Sequence, residues 1–303
     1  MKRAPHPVTL RQLQYVVAVA DHASFRRAAE ACAVAQPSLS SQVAQVEEAL
    51  GVTIFERLPS GVVVTEAGAR IVERARRVIV DADDLVATAE EARDPLAGTL
   101  RVGVIPTVAP YLLPIAAGPL RDGLPRLQFL WFEERTRELV VRIEAGELDA
   151  GVLAEESDLD DLEHETLAVD PFVLAVAKTH PLAKAKGPAR LEDLEGETVL
   201  LLDDGHCFRD QALAVCNRAA AAEASVRATS LSTLAQMAAG GVGVTLLPEL
   251  AVETENRARG LVTRAFGPRG PSRTLVLAWR PTSPKRAALH AAADVLRAIA
   301  KKR

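Results

Sequence analysis

Hydrophobic positions near the start of the chain recur at helical spacing in three short groups. Leu10, Leu13, Val16, Val17 and Ala20 form the first stripe, which stops near Asp21-His22. Ser24 stands as a cap before a second group, Phe25, Ala28, Ala29 and Cys32. After Ala33-Val34-Ala35, Pro37 opens a third helix in which Leu39, Val43, Val46 and Leu50 are expected to face inward, and Gly51 ends it. Gly61 with Val62, Val63 and Val64 suggests a short β-wing returning to Thr65. Three helices and a wing describe a winged helix-turn-helix, whose third helix enters the major groove. Gln36, Ser38, Ser41, Gln42 and Gln45 on its outer face are polar and uncharged, suited to hydrogen bonds with base edges and phosphates. The same pattern also fits the solvated face of any small helical domain.

From Glu66 to Ala92 there is no Pro and no Gly after Gly68. Ile71, Val78 and Leu85 alternate with Ala75, Ala82 and Ala89 in a 4-3 repeat with charged flanks, the pattern of a short coiled-coil seam. A second stripe, Val72, Ile79 and Val86, predicts that one face also packs elsewhere. Asp94-Pro95 and Gly98 end the helix as a hinge. Apolar strands and amphipathic helices then alternate. The strands are Leu100 to Val104, Leu127 to Phe132 and Leu148 to Leu153, and the helices Tyr111 to Ala117 and Glu138 to Ala145. That rhythm predicts an α/β domain with mainly parallel pairing. Pro171 to Val176 crosses into a second lobe holding Thr198 to Cys216, a helix Leu231 to Ala239 and a strand Gly243 to Pro248. Thr274 to Trp279 reads as a late strand, before a C-terminal helix from Lys285 to Ala300. Two lobes leave a cleft at the carboxyl ends of strands, where Ile105-Pro106-Thr107 lies.

Composition narrows the class. The 303 residues are 49% hydrophobic and 25% charged, and 36 Lys and Arg against 40 Asp and Glu give a net charge of -4. That balance argues against a surface that coats nucleic acid broadly. Three cysteines are too few for a disulfide framework, and no Cys/His spacing resembles a metal site. The first residues, Met1 to Pro7, lack the apolar stretch of a signal peptide, and no apolar run is long enough to cross a bilayer, so a cytoplasmic protein is expected.

The chemistry concentrates in Leu201-Leu202-Asp203-Asp204-Gly205-His206-Cys207-Phe208-Arg209-Asp210-Gln211, followed by Cys216. An apolar run, an Asp-Gly turn and a helical pattern place Cys207 at or just before a helix N-terminus, where free N–H groups and the dipole favour a thiolate. His206 and Arg209 are expected to add positive charge. On one intact helix, Cys207 and Cys216 stand about 13 Å apart on opposite faces. A disulfide needs Cα atoms within about 7 Å, so the two pair only if the segment between them refolds. Taken alone, the stretch reads rather as two inert cysteines buried in a hydrophobic helix.

The N-terminal motifs carry a family likeness. Ser24-Phe25-Arg26-Arg27-Ala28-Ala29, Ala35-Gln36-Pro37-Ser38-Leu39-Ser40, Glu47, Leu50-Gly51-Val52, Phe55-Glu56-Arg57 and Thr65-Glu66-Ala67-Gly68 resemble, in order, the LysR-type transcriptional regulators. The resemblance implies an α/β protein in three parts. They are a winged helix-turn-helix over residues 1–65, a linker and dimerisation helix over 66–94, and a two-lobed regulatory domain like the periplasmic binding proteins over 95–303. It implies DNA contacts from Gln36, Pro37, Ser38, Ser40 and Gln42, with Arg57 near the wing. Ala35 departs from the family's usual capping Ser, and Ala44 and Gln45 replace a basic pair.

Gly103 to Pro114, the Asp-Gly-His-Cys-Phe-Arg-Asp-Gln stretch and Arg227-Ala228-Thr229-Ser230-Leu231 are similar to the family's peroxide-sensing OxyR branch. By that similarity Cys207 is the peroxidatic cysteine and Cys216 the resolving one, joined in a reversible disulfide. Thr107, Thr136 and His206 then line a peroxide pocket, with Arg273 close by. The implied partners are operator DNA, hydrogen peroxide, RNA polymerase and a thiol reductant such as glutaredoxin or thioredoxin. A dimer of dimers is implied, with no cofactor, metal or membrane. Two other readings stay open: a regulator that binds a small organic inducer in the interlobe cleft, and a thiol peroxidase on the same scaffold.

Overall fold

A computed structural model describes residues 6–58, 61–219 and 221–301. The chain forms two compact units, Met1–Ala89 and Glu90–Arg303. In the first, α1 (Leu10–His22) begins with a reciprocal cap: the Thr9 hydroxyl accepts from Gln12 N (3.3 Å) while Gln12 Oε1 accepts from Thr9 N (2.9 Å). Helix α2 (Phe25–Ala31) starts at Ser24, whose Oγ accepts from Arg27 N. Helix α3 (Gln36–Leu50) follows Ala35, which brings no side-chain cap, and Gly51 closes it at φ 66°. Val16, Val19, Phe25, Ala28, Leu39, Val43, Val46 and Ile54 form the core. Leu50 does not join it: the last turn of α3 runs past the cluster and leaves this side chain 39% exposed. Cys32 is half-buried against the same core.

Strands β1 (Phe55–Leu58) and β2 (Gly61–Val64) pair antiparallel as the wing. Glu47 fastens the wing to α3, its Oε1 accepting from Ile54 N (2.7 Å) and Phe55 N (3.0 Å). Helix α4 (Glu66–Glu91) buries Val72 and Ala75 against this unit, and Arg76 pairs with Asp21. Further along α4, Val78, Leu85 and Val86 are exposed at 47%, 73% and 59%.

The second unit runs β3 (Gly98–Val104), α5 (Ala109–Gly123), β4 (Leu127–Glu133), α6 (Thr136–Glu144), β5 (Ala150–Ala154) and β6 (Glu163–Ala177). It continues with β7 (Thr198–Leu202), α7 (Cys207–Arg218), β8 (Ala222–Ala228), α8 (Leu231–Ala239), β9 (Val244–Pro248), α9 (Glu249–Glu255) and β10 (Leu261–Ala265). Strand β11 (Ser272–Trp279) and α10 (Arg286–Ala300) complete it. The strands line up as β4-β3-β5-β11-β6-β9-β7-β8, with β10 on β6.

Strand β6 belongs to both lobes. Glu163 to Pro171 pairs with β11, and Phe172 to Ala177 pairs with β9 and β10. The expectation of mainly parallel pairing is corrected here. β3-β4, β3-β5, β7-β8 and β7-β9 are parallel, but every contact made by β6 and β11 is antiparallel.

One core gathers β3, β5, β11, α5, α6 and α10, with Trp279 buried in it; a second gathers β6, β7, β9, α7 and α8. Between lobes, the Tyr111 hydroxyl donates to Glu255 (2.7 Å) and Leu250 N donates to Asp170 (3.0 Å).

Val78 and Leu85 of the expected seam are exposed with the spacing that a second helix would meet, while of the second stripe Val72 is buried and Val86 is not. If the seam pairs two chains, as the family likeness implies, Leu85→Asp is expected to dissociate them by placing an unpaired charge in it. Sedimentation velocity checks this, and an intact dimer would assign the row another role.

Candidate functional site

Strand β7 ends at Leu202, and Asp203 N donates to the Ala228 carbonyl (2.7 Å), holding the exit of β7 beside β8. The chain then turns through Gly205, at φ 88°, a left-handed value that glycine adopts at little cost. Helix α7 starts at Cys207 with His206 as its N-cap residue, so the strand-turn-helix expected from sequence is the one found. The N-terminal N–H groups of α7 are therefore presented at Cys207.

The two cysteines of α7 sit in different surroundings. Cys207 is partly buried and packs against the first lobe's core. Cys216 is buried within the second lobe's core. Both are free thiols, on a helix that separates them by about 13.5 Å at 1.5 Å per residue. Burial, with some repulsion from Glu223, pushes the Cys216 thiol up to about 11. Between them Phe208 is 1% exposed and meets Phe172 edge-on at 5.0 Å between ring centroids. Burying such a ring contributes about 2–3 kcal/mol to keeping α7 helical and docked.

The positive charge expected beside Cys207 is not delivered by the predicted residues. Arg209 is turned into the second lobe. It donates to the Leu202 carbonyl (3.0 Å) and pairs with Asp204 (2.9 Å) and Glu223 (2.8 Å). His206 is buried, and its pKa is lowered by desolvation first and by Arg135 second, against opposing pulls from Asp203 and Glu138. The imidazole is thereby favoured neutral, with one donor and one acceptor nitrogen.

Thr107, at the carboxyl end of β3, is buried, and its Oγ1 accepts from Arg273 Nη1 (2.7 Å) while its carbonyl accepts from Nη2 (3.1 Å). Arg273, fully buried on β11, also donates to Asp170 Oδ2 from Nε (3.0 Å) and Nη2 (2.9 Å). Its guanidinium carbon stands 5.6 Å from the centre of the Phe208 ring. So the turn after β3 meets β6 and β11 beside Phe208 in the first turn of α7, and the loop before β11 does not displace Arg273 from Thr107.

Thr136 is the first residue of α6, and its buried Oγ1 has no hydrogen-bond partner among the described residues. It lines an interlobe cleft of about 1040 Å³ together with Gly205, Cys207 and Gln211. Ser157 Oγ and Gln211 Oε1 in the same cleft are likewise buried and unpaired. Unpaired buried polar atoms are costly, so their concentration in one cleft marks a place suited to a small polar molecule. Thr107, His206 and Arg273 lie beyond the cleft's lining.

Sequence reasoning missed Asp170, Glu223 and Arg135. Asp170 and Glu223 are lone charges among uncharged neighbours and Arg135 is one of several charges in Glu133 to Glu138, so each is identifiable only from what it touches. Among the described residues, no group of three or more His, Cys, Asp or Glu could hold a metal ion, and no helix is long and apolar enough to cross a membrane.

On the first unit, Gln36, Pro37 and Ser38 are exposed in the first turn of α3, with Ser40 and Gln42 half-buried beyond them. Arg57 of β1 donates to Ser40 Oγ (2.7 Å) and lies 4.3 Å from the centre of the Phe25 ring. The wing is thus tied to the first turns of α3.

The helix-turn-helix description of the bacterial regulatory proteins of the lysR family matches residues 10–69, and the LysR substrate binding domain matches residues 93–301. The chain belongs to the LysR family. Within that family it matches the OxyR branch over nearly its whole length. It is 40% identical to the DNA-binding transcriptional dual regulator OxyR of Escherichia coli K12 across 96% of this chain and 95% of that protein. It is also 40% identical to the hydrogen peroxide-inducible genes activator of Dickeya chrysanthemi, with the same coverage. A full-length OxyR structure from Pseudomonas aeruginosa superposes with a TM-score of 0.79 at 37% identity, over 96% of this chain and 95% of that one. The LysR-type chain is accordingly a DNA-binding transcriptional regulator of the OxyR branch, and its relatives are regulators rather than enzymes.

The raised Cys216 thiol has a consequence for stability. Its folded pKa, about 11, lies above the ordinary value of 9.0, so the folded state holds this proton more tightly. The contribution is fully present below pH 9 and is lost as pH rises toward 11, about 3 kcal/mol in all. Cys216→Ala is expected to flatten the loss of stability between those pH values. Urea unfolding of wild type and variant at pH 8, 9.5 and 11 measures it.

Proposed function

We propose that this regulator is switched by hydrogen peroxide through a reversible Cys207-Cys216 disulfide. The observation that carries the reading is the placement of one helix's two cysteines. Cys207 is partly accessible at its N-terminus beside a cleft with an unpaired hydroxyl, and Cys216 is sealed in a core. In the reaction the Cys207 thiolate attacks one peroxide oxygen, the O–O bond breaks, and a sulfenic acid forms. The departing hydroxide takes a proton and leaves as water. Thr136 and Thr107 hydroxyls and His206 supply the donors and acceptors that orient both oxygens, and Arg273 holds the Thr107 side of the pocket. Cys216, deprotonated, then attacks the sulfenic sulfur, forming the S–S bond and releasing a second hydroxide.

That second step needs α7 to unwind, since its intact form holds the sulfurs too far apart. Phe208 and the Arg209 ties to Asp204 and Glu223 must let go together. The rearranged surface of the second lobe then reorients the DNA-binding domains of an oligomer, a dimer of dimers built on the α4 seam. A dithiol reductant such as glutaredoxin or thioredoxin resets the switch by exchange. Operator DNA is read by Gln36, Pro37, Ser38, Ser40 and Gln42 with Arg57 at the wing, and RNA polymerase receives the signal. The protein works in the cytoplasm, where a disulfide is transient. A second reading, a small organic inducer, draws on the size of the cleft, about 1040 Å³. Equimolar peroxide separates the two: consumption of two thiols per chain supports the switch, and unchanged thiols support the inducer.

Cys207→Ser is expected to abolish the peroxide response, while Cys216→Ser reacts once and stops at sulfenic acid. Stopped-flow peroxide consumption with sulfenic-acid trapping checks the order, and a faster Cys216 would overturn it. For DNA reading, Ser38→Ala or Gln42→Ala is expected to relax base choice by about 1–3 kcal/mol per lost contact. Operator titrations at fixed salt measure the specificity ratio, which stays unchanged if these residues only face solvent.

A further inference from the structure

We propose that Arg135 is a positioning residue for the peroxide reaction: it binds the Asp204-Gly205 turn of one lobe to the start of α6 in the other, and so sets Cys207 against Thr136. The inference rests on the reading that Cys207 reacts with peroxide. Arg135 occupies two positions at once. Its backbone is the N-cap of α6, extended at φ −70° and ψ 160°, and its carbonyl accepts from Leu139 N (3.0 Å), so it starts the helix whose first residue is Thr136. Its side chain reaches the other lobe, where Nη1 donates to the Asp204 carbonyl (3.0 Å), three residues before Cys207. One residue therefore fixes the frame of both partners.

Gly205 is matched to this grip. A Cβ built at that position would stand 2.9 Å from Arg135 Nη1 and 3.4 Å from its Cδ. The guanidinium thus occupies the volume that any other side chain at 205 would fill. Gly205, Cys207 and Thr136 all line the same cleft, directly beside the tie.

The cation has a second effect there. The charged groups facing His206 are Arg135 and Glu138 from the first lobe and Asp203 from its own turn. Arg135 alone among them opposes the imidazolium, adding to the desolvation that does the same. A neutral His206 keeps an acceptor nitrogen for a proton moving during peroxide cleavage.

The test compares the full-length reduced wild type with Arg135→Gln and Arg135→Lys. Sulfenic acid formation at Cys207 with hydrogen peroxide is followed from pH 5 to 8, in a Cys216→Ser background. Alkylation of Cys207 by iodoacetamide, which needs no alignment with Thr136, is the control for fold and access. The expected result for Arg135→Gln is a peroxide rate lower by about tenfold, the scale of a small misalignment of reacting groups, with alkylation changed by less than about twofold. The acid limb of its rate profile is expected to move to higher pH, because His206 is then more easily protonated. Arg135→Lys, which keeps the charge but not the fork, is expected to restore the limb and only part of the rate. Equal peroxide rates in wild type and Arg135→Gln would overturn the inference alone, as would a parallel fall in both reactions with an unmoved limb. A wild-type Cys207 inert to peroxide would overturn the peroxide reading, and this inference with it.

Discussion

Everything in the regulatory unit depends on α7 staying folded while it touches two cores. Its N-terminal sulfur rests against the first lobe and its buried face, Phe208, Ala212, Val215 and Cys216, fills the second. The helix is only 12 residues long, and an isolated helix of that length is marginal in water. Its stability comes from packing, above all from Phe208 against Phe172. A segment held by tertiary contacts rather than by its own propensity is one that chemistry at a single atom can release.

The buried charge beneath α7 gives this segment a fixed floor. Arg273 would be prohibitively costly in a dry interior without Asp170 and the two oxygens of Thr107. Those partners come from β6 and from the turn that follows β3, so the cation on β11 joins three separate stretches of chain at one point. The Thr107 hydroxyl is committed to that cluster, whereas the Thr136 hydroxyl is not committed to anything among the described residues. The two threonines, equivalent in sequence terms, are therefore unequal in the fold. One supports the pocket from below and the other offers a free polar group at its wall.

A comparable division of labour runs through the DNA-binding unit. Ala35 cannot cap α3, and Pro37 in its first turn supplies the preset backbone that partly replaces a cap. Glu47 and Arg57 hold the wing to the same helix from its two ends, one by accepting two backbone N–H groups and the other through Ser40 and the Phe25 ring. The polar outer face of α3 can then stay uncharged without losing its alignment to the wing.

The periodicity of apolar residues was enough to set the three helices and wing of the first unit, the long α4 and the strand-turn-helix around Cys207. Each follows from local spacing, capping and turn chemistry, which are properties of neighbouring residues. The family likeness implied a peroxide pocket of Thr107, Thr136 and His206 with Arg273 close by, and of these four Thr136 lines the cleft beside Cys207. Mixed pairing in the sheet was not legible, because β6 and β11 pair residues as far apart in sequence as Glu163 and Trp279, and strand direction leaves no trace in apolar alternation. Nor was the electrostatic setting of Cys207. Local sequence placed Arg209 and His206 beside it as cations, yet the fold turns Arg209 to Glu223 and Asp204 and buries His206, whose desolvation, with Arg135 of the other lobe adding to it, favours the neutral ring. Charge acts through space and responds to burial, so only the tertiary structure decided which groups face the sulfur.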